Sequence, residues 1–278
     1  MNVLSLFDGM SCGQIALNSL GVKIDNYYAS EIEEASIKIA QKNFPNTIHV
    51  GDVKKVKGKK LPKIDLLLGG SPCQGFSIAG GRLNFDDERS KLFFEFVRLL
   101  KECKPKYFLL ENVIMSEPIK NEISRILGVQ PIRINSSLVS GQNRDRYYWT
   151  NIPGIKLPKD KGIVLNDVID EKGDWYGAAY RGVYNPNWVA DGTAKYPQKF
   201  QVRRKDRKSN CLVTTTNLAY IYNNRNKKHR KLTVREMEKL QTIPVGYTDG
   251  VCKTAAIKMI GNGWTVSVIK ELLKNVKK

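Results

Sequence analysis

Cys73 lies in the stretch Gly69-Gly70-Ser71-Pro72-Cys73-Gln74-Gly75-Phe76-Ser77, directly after the apolar run Ile64-Asp65-Leu66-Leu67-Leu68. A buried cysteine in a core is normally an inert small hydrophobe, whereas one braced by proline in a loop after a strand is placed to act as a nucleophile. The apolar run at 107–110 leads into Glu111-Asn112-Val113, which sets an acid at the end of another strand. A nucleophile and an acid at neighbouring strand ends suit addition to a carbon that the acid helps to polarise. Farther on, Gln142-Asn143-Arg144-Asp145-Arg146 brings two arginines to one side of an extended segment, because alternate residues share a face. They are either exposed strand charges or the groups that hold a substrate oxygen and the nearby acid.

A second constellation lies nearer the N-terminus. Phe7-Asp8-Gly9-Met10-Ser11-Cys12-Gly13 joins an apolar strand to a helix, and backbone amides at a helix start suit an anionic group such as a carboxylate. The next two strands lead into Ser30-Glu31 and Gly51-Asp52-Val53. An acid at the first place can hold ribose hydroxyls, and one at the second can accept from an adenine amino group. Three such sites in succession point to a nucleoside cofactor without separating a nicotinamide dinucleotide from S-adenosylmethionine.

The elements that must position these groups read as an α/β fold with a doubly wound, largely parallel sheet. Strands are expected at 3–7, 26–30, 47–50, 64–68, 107–110, 132–138 and 146–150, and helices at 13–20, 34–43, 92–103 and 119–127. After Pro153 and Pro158 the periodicity weakens and Gly, Pro, Trp and Tyr become frequent. A small second module is expected at 155–231, between a catalytic and cofactor-binding body at 1–154 and a return to that body at 232–278. Thr233-Val234-Arg235-Glu236 forms a capping box ahead of a helix to about Leu240, and a last helix is expected at 265–276.

Composition narrows the partners. Forty-six Lys and Arg against 27 Asp and Glu give a formal charge of +19. Residues 195–231 carry twelve basic residues and one acid, a net +11 in 37 residues. That concentration favours one basic face turned to a polyanion over a general solubility bias. Five cysteines without close pairing suggest reduced thiols, and neither a disulfide framework nor a metal site is expected. The sequence has no signal-peptide pattern and no apolar run of membrane-spanning length, so a soluble, cytoplasmic protein is expected.

Taken in order, these segments resemble the DNA cytosine-5 methyltransferase family over nearly the whole chain outside the 155–231 module. Arg235-Glu236 with Leu240-Gln241, and Gly261-Asn262-Gly263-Trp264-Thr265-Val266, are similar to its last two motifs. Leu6-Phe7-Asp8-Gly9, Arg146-Tyr147-Tyr148-Trp149 and Gly263-Trp264 look like the animal de novo type, whereas Gln142 and Asn262 look like the compact bacterial or phage type. The resemblance implies a Rossmann-like methyltransferase domain with a small basic target-recognition domain. It implies S-adenosylmethionine contacts at Phe7, Asp8, Met10, Cys12, Glu31, Ile32, Asp52, Val53, Leu92, Asn262, Gly263 and Trp264. Cys73 would add to carbon 6 of cytosine, with Glu111, Arg144 and Arg146 around the base. Double-stranded DNA would meet Gln74, Ser77, Arg203, Arg204, Lys205, Arg207 and Lys208, and the target base would leave the duplex to reach Cys73.

Two readings compete with this one. A branch of the same family acts on transfer RNA, and a non-catalytic relative would lose the nucleophile or the acid, both present here. Methylation of an exocyclic amine is disfavoured because no Asp-Pro-Pro-Tyr or Asn-Pro-Pro-Phe type segment occurs. A chain starting at its first strand leaves no room for an N-terminal regulatory domain, so a compact, monomeric catalytic unit is expected, with a separately acting restriction endonuclease as a candidate partner.

Overall fold

The computed structural model describes residues 1–71, 88–182, 198–202, 204–214 and 219–276. Its larger sheet contains β1 (Asn2–Leu6), β2 (Asn26–Ser30), β3 (Ile48–His49), β4 (Leu66–Gly69), β5 (Tyr107–Val113), β6 (Ile132–Asn135) and β7 (Asp145–Thr150). The strand order is β3-β2-β1-β4-β5-β7-β6. β1 to β5 pair in parallel, and β7 runs antiparallel to both β5 and β6. The order reverses between β1 and β4, which opens a crevice at the carboxyl ends of the strands.

Alternation along the strands distributes the core over both faces. Val3, Leu66, Leu68 and Leu109 pack with Ala16 and Leu17 of α1 (Cys12–Ser19), Ile39 of α2 (Glu34–Asn43) and Ile269 and Leu272 of α7 (Val266–Leu273). Leu4, Leu6, Leu67, Phe108 and Leu110 pack with Phe93 and Phe96 of α3 (Glu88–Cys103) and Ile119 and Ile123 of α4 (Glu117–Leu127). Strands covered on both sides read as continuous apolar runs, as Leu66-Leu67-Leu68 does.

Helix ends follow local chemistry. α4 has Pro118 in its first turn and stops at Gly128, whose φ of 71° is the left-handed geometry that glycine adopts without strain. α5 (Val234–Leu240) carries the expected capping box: the Glu236 amide donates to Thr233 Oγ1 at 3.2 Å, and the Thr233 amide donates to Glu236 at 2.8 Å. The strand expected at 132–138 ends at Asn135, whose side chain accepts from the Ser137 amide and turns the chain into a short 3-10 segment. α6 (Lys253–Asn262) has no counterpart among the expected elements. A second sheet, β11-β10-β8-β9, joins β8 (Trp175–Gly182), β9 (Gln198–Val202), β10 (Tyr220–Asn223) and β11 (His229–Lys231) in antiparallel pairs. Among the described residues, no helix is long and apolar enough to cross a membrane.

Candidate active site

A cleft of about 600 Å3 lies at the carboxyl ends of β1, β2, β4 and β5 and is closed by the link between α6 and α7. That volume is ordinary for a small-molecule site. One end is built by the turn after β1. Phe7, Gly9 and Ser11 take φ values of 56°, 58° and 62°, so the turn is tight, and its Gly9 amide donates to Glu31 Oε2 at 2.8 Å. Glu31 Oε1 accepts from the Ile32 and Glu33 amides at 2.7 and 2.9 Å. Three amides thus fix a carboxylate at the rim, which leaves lone pairs for hydroxyl donors. Beside it Ile32 is 69% exposed and lines the mouth of the cleft. Lys258 of α6 spans the mouth to Glu33 at 2.8 Å.

Asp8 lies deeper. It accepts from the Tyr27 hydroxyl at 2.7 Å and from the Ser11 hydroxyl, and burial pushes its carboxyl up to about 6 although both hydrogen bonds pull it back. Burial likewise pushes the Cys12 thiol up to about 12, so this cysteine is a packing group and no thiolate nucleophile.

The other end centres on Glu111, near the end of β5 and 8% exposed. Arg146 of β7 holds one oxygen, with Nε 2.9 Å from Oε1, and the Trp264 indole Nε1 donates to Oε2 at 3.2 Å. Burial works against the charge on Arg146, and the facing Glu111 more than restores it, leaving the guanidinium above its ordinary range. Asn112 Nδ2 reaches the Ser71 carbonyl and hydroxyl, each at 3.3 Å, and so pins the chain just before residue 72. Cys73, Gln74 and Ser77 fall at 72–87, outside the described residues, as does Arg203.

Residues 1–127 and 141–278 match the family model of C-5 cytosine-specific DNA methylases. The chain belongs to that family. Similar proteins include an orphan methyltransferase of Bacillus phage rho11s, 36% identical over 189 residues, which are 62% of this chain and 37% of the relative. A type II methyltransferase of Lactococcus lactis subsp. cremoris is 29% identical over 311 residues, 99% of this chain and 77% of the relative. The chain thus spans little more than a third of the phage relative's length. Among solved structures, an Entamoeba histolytica methyltransferase is similar with a TM-score of 0.73 and 18% identity, covering 99% of this chain and 97% of that one. Spodoptera frugiperda DNMT2 is similar with a TM-score of 0.66 and 18% identity, covering 98% of each. These structures share the Rossmann-like α/β fold.

In this C-5 methylase chain, eleven of the twelve residues expected at the cofactor line the cleft: Phe7, Asp8, Cys12, Glu31, Ile32, Asp52, Val53, Leu92, Asn262, Gly263 and Trp264. Met10 corrects the expectation. It is 1% exposed and packs under Gly263, where an added Cβ would meet its Cε at 2.6 Å, and its carbonyl accepts from the Tyr247 hydroxyl at 2.7 Å. Glu111, Arg144 and Arg146 line the other end.

Of the two arginines expected around the base and the acid, Arg144 makes no ion pair with Glu111. Its Nη1 donates to the carbonyls of Leu212 and Gly261 at 3.0 and 3.1 Å, tying the approach to β7 to the segment that follows β9 and to α6. Its Nε is buried and has no hydrogen-bond partner among the described residues.

The expected phosphate contacts also divide. Lys208 is corrected: it is 7% exposed, and its Nζ donates to the carbonyls of Ser137 at 2.8 Å, Ser140 at 3.3 Å and Ile163, which occupies the ammonium inside the fold. Arg204 pairs with Asp206, and Arg207 reaches Asp174 at 3.1 Å and lies over the Tyr176 ring, while Lys205 is exposed. Sequence reasoning missed Ser71, Leu212, Val213, Thr214 and Lys258 as cleft residues. They come from loops, and from a helix with no expected counterpart, so no periodic signal marks them.

Proposed function

We propose that this chain transfers a methyl group from S-adenosylmethionine to carbon 5 of cytosine in a specific duplex DNA sequence. The observation that carries the reading is the placement of Glu111: it stands in one cleft with the nucleoside-type acceptors Glu31 and Asp52, beside the strand that leads to Cys73. Membership of the C-5 cytosine-specific family supports it. The cleft residues fit the cofactor by donor type, since Glu31 offers acceptors for ribose hydroxyls and Ile32 an apolar face for the adenine. When bound, the cofactor supplies an electrophilic methyl group.

Carbon 5 of cytosine is too electron-poor to take that methyl unaided. A thiolate at Cys73 adds to carbon 6, forming a C–S bond while the 5,6-double bond becomes an enamine that is nucleophilic at carbon 5. Glu111 polarises the ring at nitrogen 3, and Arg146 holds the carboxyl that does so. Arg144, in the wall of the same cleft, is the group assigned to the base oxygen. Carbon 5 takes the methyl as the S–CH3 bond breaks, with S-adenosylhomocysteine the leaving group. The carbon 5 proton then leaves to water and Cys73 is expelled as the thiolate, which restores the ring. Because the target carbon is inaccessible within a duplex, the base must flip out, at a cost on the order of a few kcal/mol.

Residues 1–154 and 232–278 form the catalytic body in this reading, and 155–231 the recognition module, with Lys205 and Arg207 set on phosphates and Gln74, Ser77 and Arg203 near the DNA. The protein works as a monomer in the cytoplasm, either alone or with a restriction endonuclease that acts separately. The test is incubation with S-adenosylmethionine and unmethylated duplex DNA, beside a Cys73→Ala control, followed by nucleoside mass spectrometry. 5-Methyldeoxycytidine formed only by the intact chain supports the reading. No modified base on DNA, together with methylated cytosine in a parallel transfer RNA reaction, overturns it in favour of an RNA substrate.

A further inference from the structure

Trp264 stands where three parts of the fold meet. Gln241, fully buried at the end of α5, clamps the link that carries it: Nε2 donates to the carbonyls of Ile260 and Gly263 at 2.7 and 3.0 Å, and Oε1 accepts from Thr265 Oγ1 at 2.7 Å. The Val266 amide donates to the Gln241 carbonyl at 3.0 Å. With its backbone so fixed, the indole lies over two glycines. A Cβ on Gly13 would sit 3.6 Å from Cζ3, and one on Gly70 would sit 2.9 Å from Nε1 and 3.2 Å from Glu111 Oε2. The bare Gly70 therefore leaves room for the N–H to reach the carboxyl. An indole N–H donates and accepts nothing, so together with Arg146 on Oε1 it fixes the plane of Glu111 from both sides.

We propose that Trp264 is a positioning residue for Glu111 and mechanically joins the two ends of the cleft. Its N–H edge orients the acid, and the same ring walls the cofactor end beside Cys12 and Gly13, so that a filled cofactor end restrains the group that aims the acid at the base. The inference rests on the reading of Glu111 as the group that polarises the base. An N–H bond to an ionisable partner in a shielded site implies a loss of roughly tenfold in the chemical step when only the N–H is removed.

Trp264→Phe keeps an aromatic side chain, smaller than the indole, and deletes the N–H. Single-turnover transfer of labelled methyl from S-adenosylmethionine to unmethylated plasmid DNA is measured for this variant, for Glu111→Gln and for the double variant, with cofactor affinity by calorimetry and folding by circular dichroism. The expected result is cofactor affinity within about twofold, a methyl-transfer rate down roughly tenfold, and no further loss when Trp264→Phe is added to Glu111→Gln. Gly70→Ala, which crowds a methyl against both donor and acceptor, provides a second variant with the indole intact and the same expected loss.

An unchanged rate in folded Trp264→Phe overturns the proposal, and so does a full tenfold loss that persists in the Glu111→Gln background. A weakened cofactor affinity with an unchanged rate also overturns it and leaves Trp264 as a wall only. A wild-type rate in Glu111→Gln alone refutes the acid reading itself, a result distinct from the others.

Discussion

Replacing Arg146 with leucine tests whether the paired groups at the base end of the cleft form one unit. Arg146 and Glu111 side chains are only 14% and 10% exposed, and their closest approach is 2.9 Å. Removing one member of a buried pair costs about 3–5 kcal/mol, because the remaining charge has lost its partner and cannot recover its hydration. Here Glu111 keeps the Trp264 N–H and borders an open cleft, which lowers the expected loss to about 2 kcal/mol for Arg146→Leu. Adding Glu111→Gln removes the stranded charge, so the double variant should recover about half of that loss. Urea unfolding at neutral pH provides the assay, and an unchanged m-value with a lower midpoint identifies a true stability change. A double variant less stable than Arg146→Leu, by the full amount that Glu111→Gln alone costs, would show independent sites and refute the reasoning.

Asp8 gives a pH signature. Its carboxyl is raised from 3.8 to about 6, so between those values the folded chain holds a proton that the unfolded chain has released. Stability from this group is greatest at low pH, falls as pH rises through that window and is level above about 6; Asp8→Asn should abolish up to roughly 3 kcal/mol of that fall, read from urea midpoints across the window, and an unchanged slope refutes it. Lys208→Met should cost about 2 kcal/mol of stability, because it strands carbonyls of Ser137, Ser140 and Ile163, while Lys205→Ala leaves stability alone and lowers the salt slope of DNA binding by about 1. A reduced salt slope for folded Lys208→Met would contradict the buried role. Gly261→Ala should destabilise by about 1–3 kcal/mol, since its Cβ would meet the Val213 carbonyl carbon at 2.3 Å and backbone has to move; a wild-type melting temperature counts against that close approach. In native alkylation followed by mass spectrometry, exposed Cys252 should react well before buried Cys12, whose thiol is pushed up to about 12; early labelling of Cys12 refutes its burial.

The parallel sheet was legible because it obeys local rules. Runs such as Leu66-Leu67-Leu68 are apolar for burial on both faces, and amphipathic stretches such as 34–43 repeat with helical spacing, so seven strands and four helices could be placed within a few residues. The small sheet was not legible. Trp175–Gly182 and Tyr220–Asn223 mix Gly, Asn, Tyr and Ala without clean alternation, and their pairing is fixed by tertiary partners such as Asn210, whose Nδ2 donates to the Ala178 carbonyl at 2.9 Å. α6 escaped for a related reason: Lys253-Thr254-Ala255-Ala256 opens on no side-chain cap, and the helix is held by packing against α5.

The site divides along the same line. Acids after strands could be found because a doubly wound sheet places strand ends at one crevice, a rule that needs only strand boundaries. What side chains do across the crevice depends on which oxygens are already taken, and that is settled by residues far away in sequence. Arg144 and Arg146 alternate as the strand geometry requires, yet Arg146 meets Glu111 while Arg144 is captured by the carbonyls of Leu212 and Gly261. Lys208 is drawn inward by carbonyls in a similar way, although its neighbours in sequence look like one exposed basic run. A charged side chain of four or five bonds takes whichever acceptors lie within reach, and backbone acceptors from loops leave no mark in composition or period. The Gln241 clamp shows the consequence for function: one amide, with no charge to draw attention in the sequence, fixes the link that carries Trp264 and thereby the donor on Glu111.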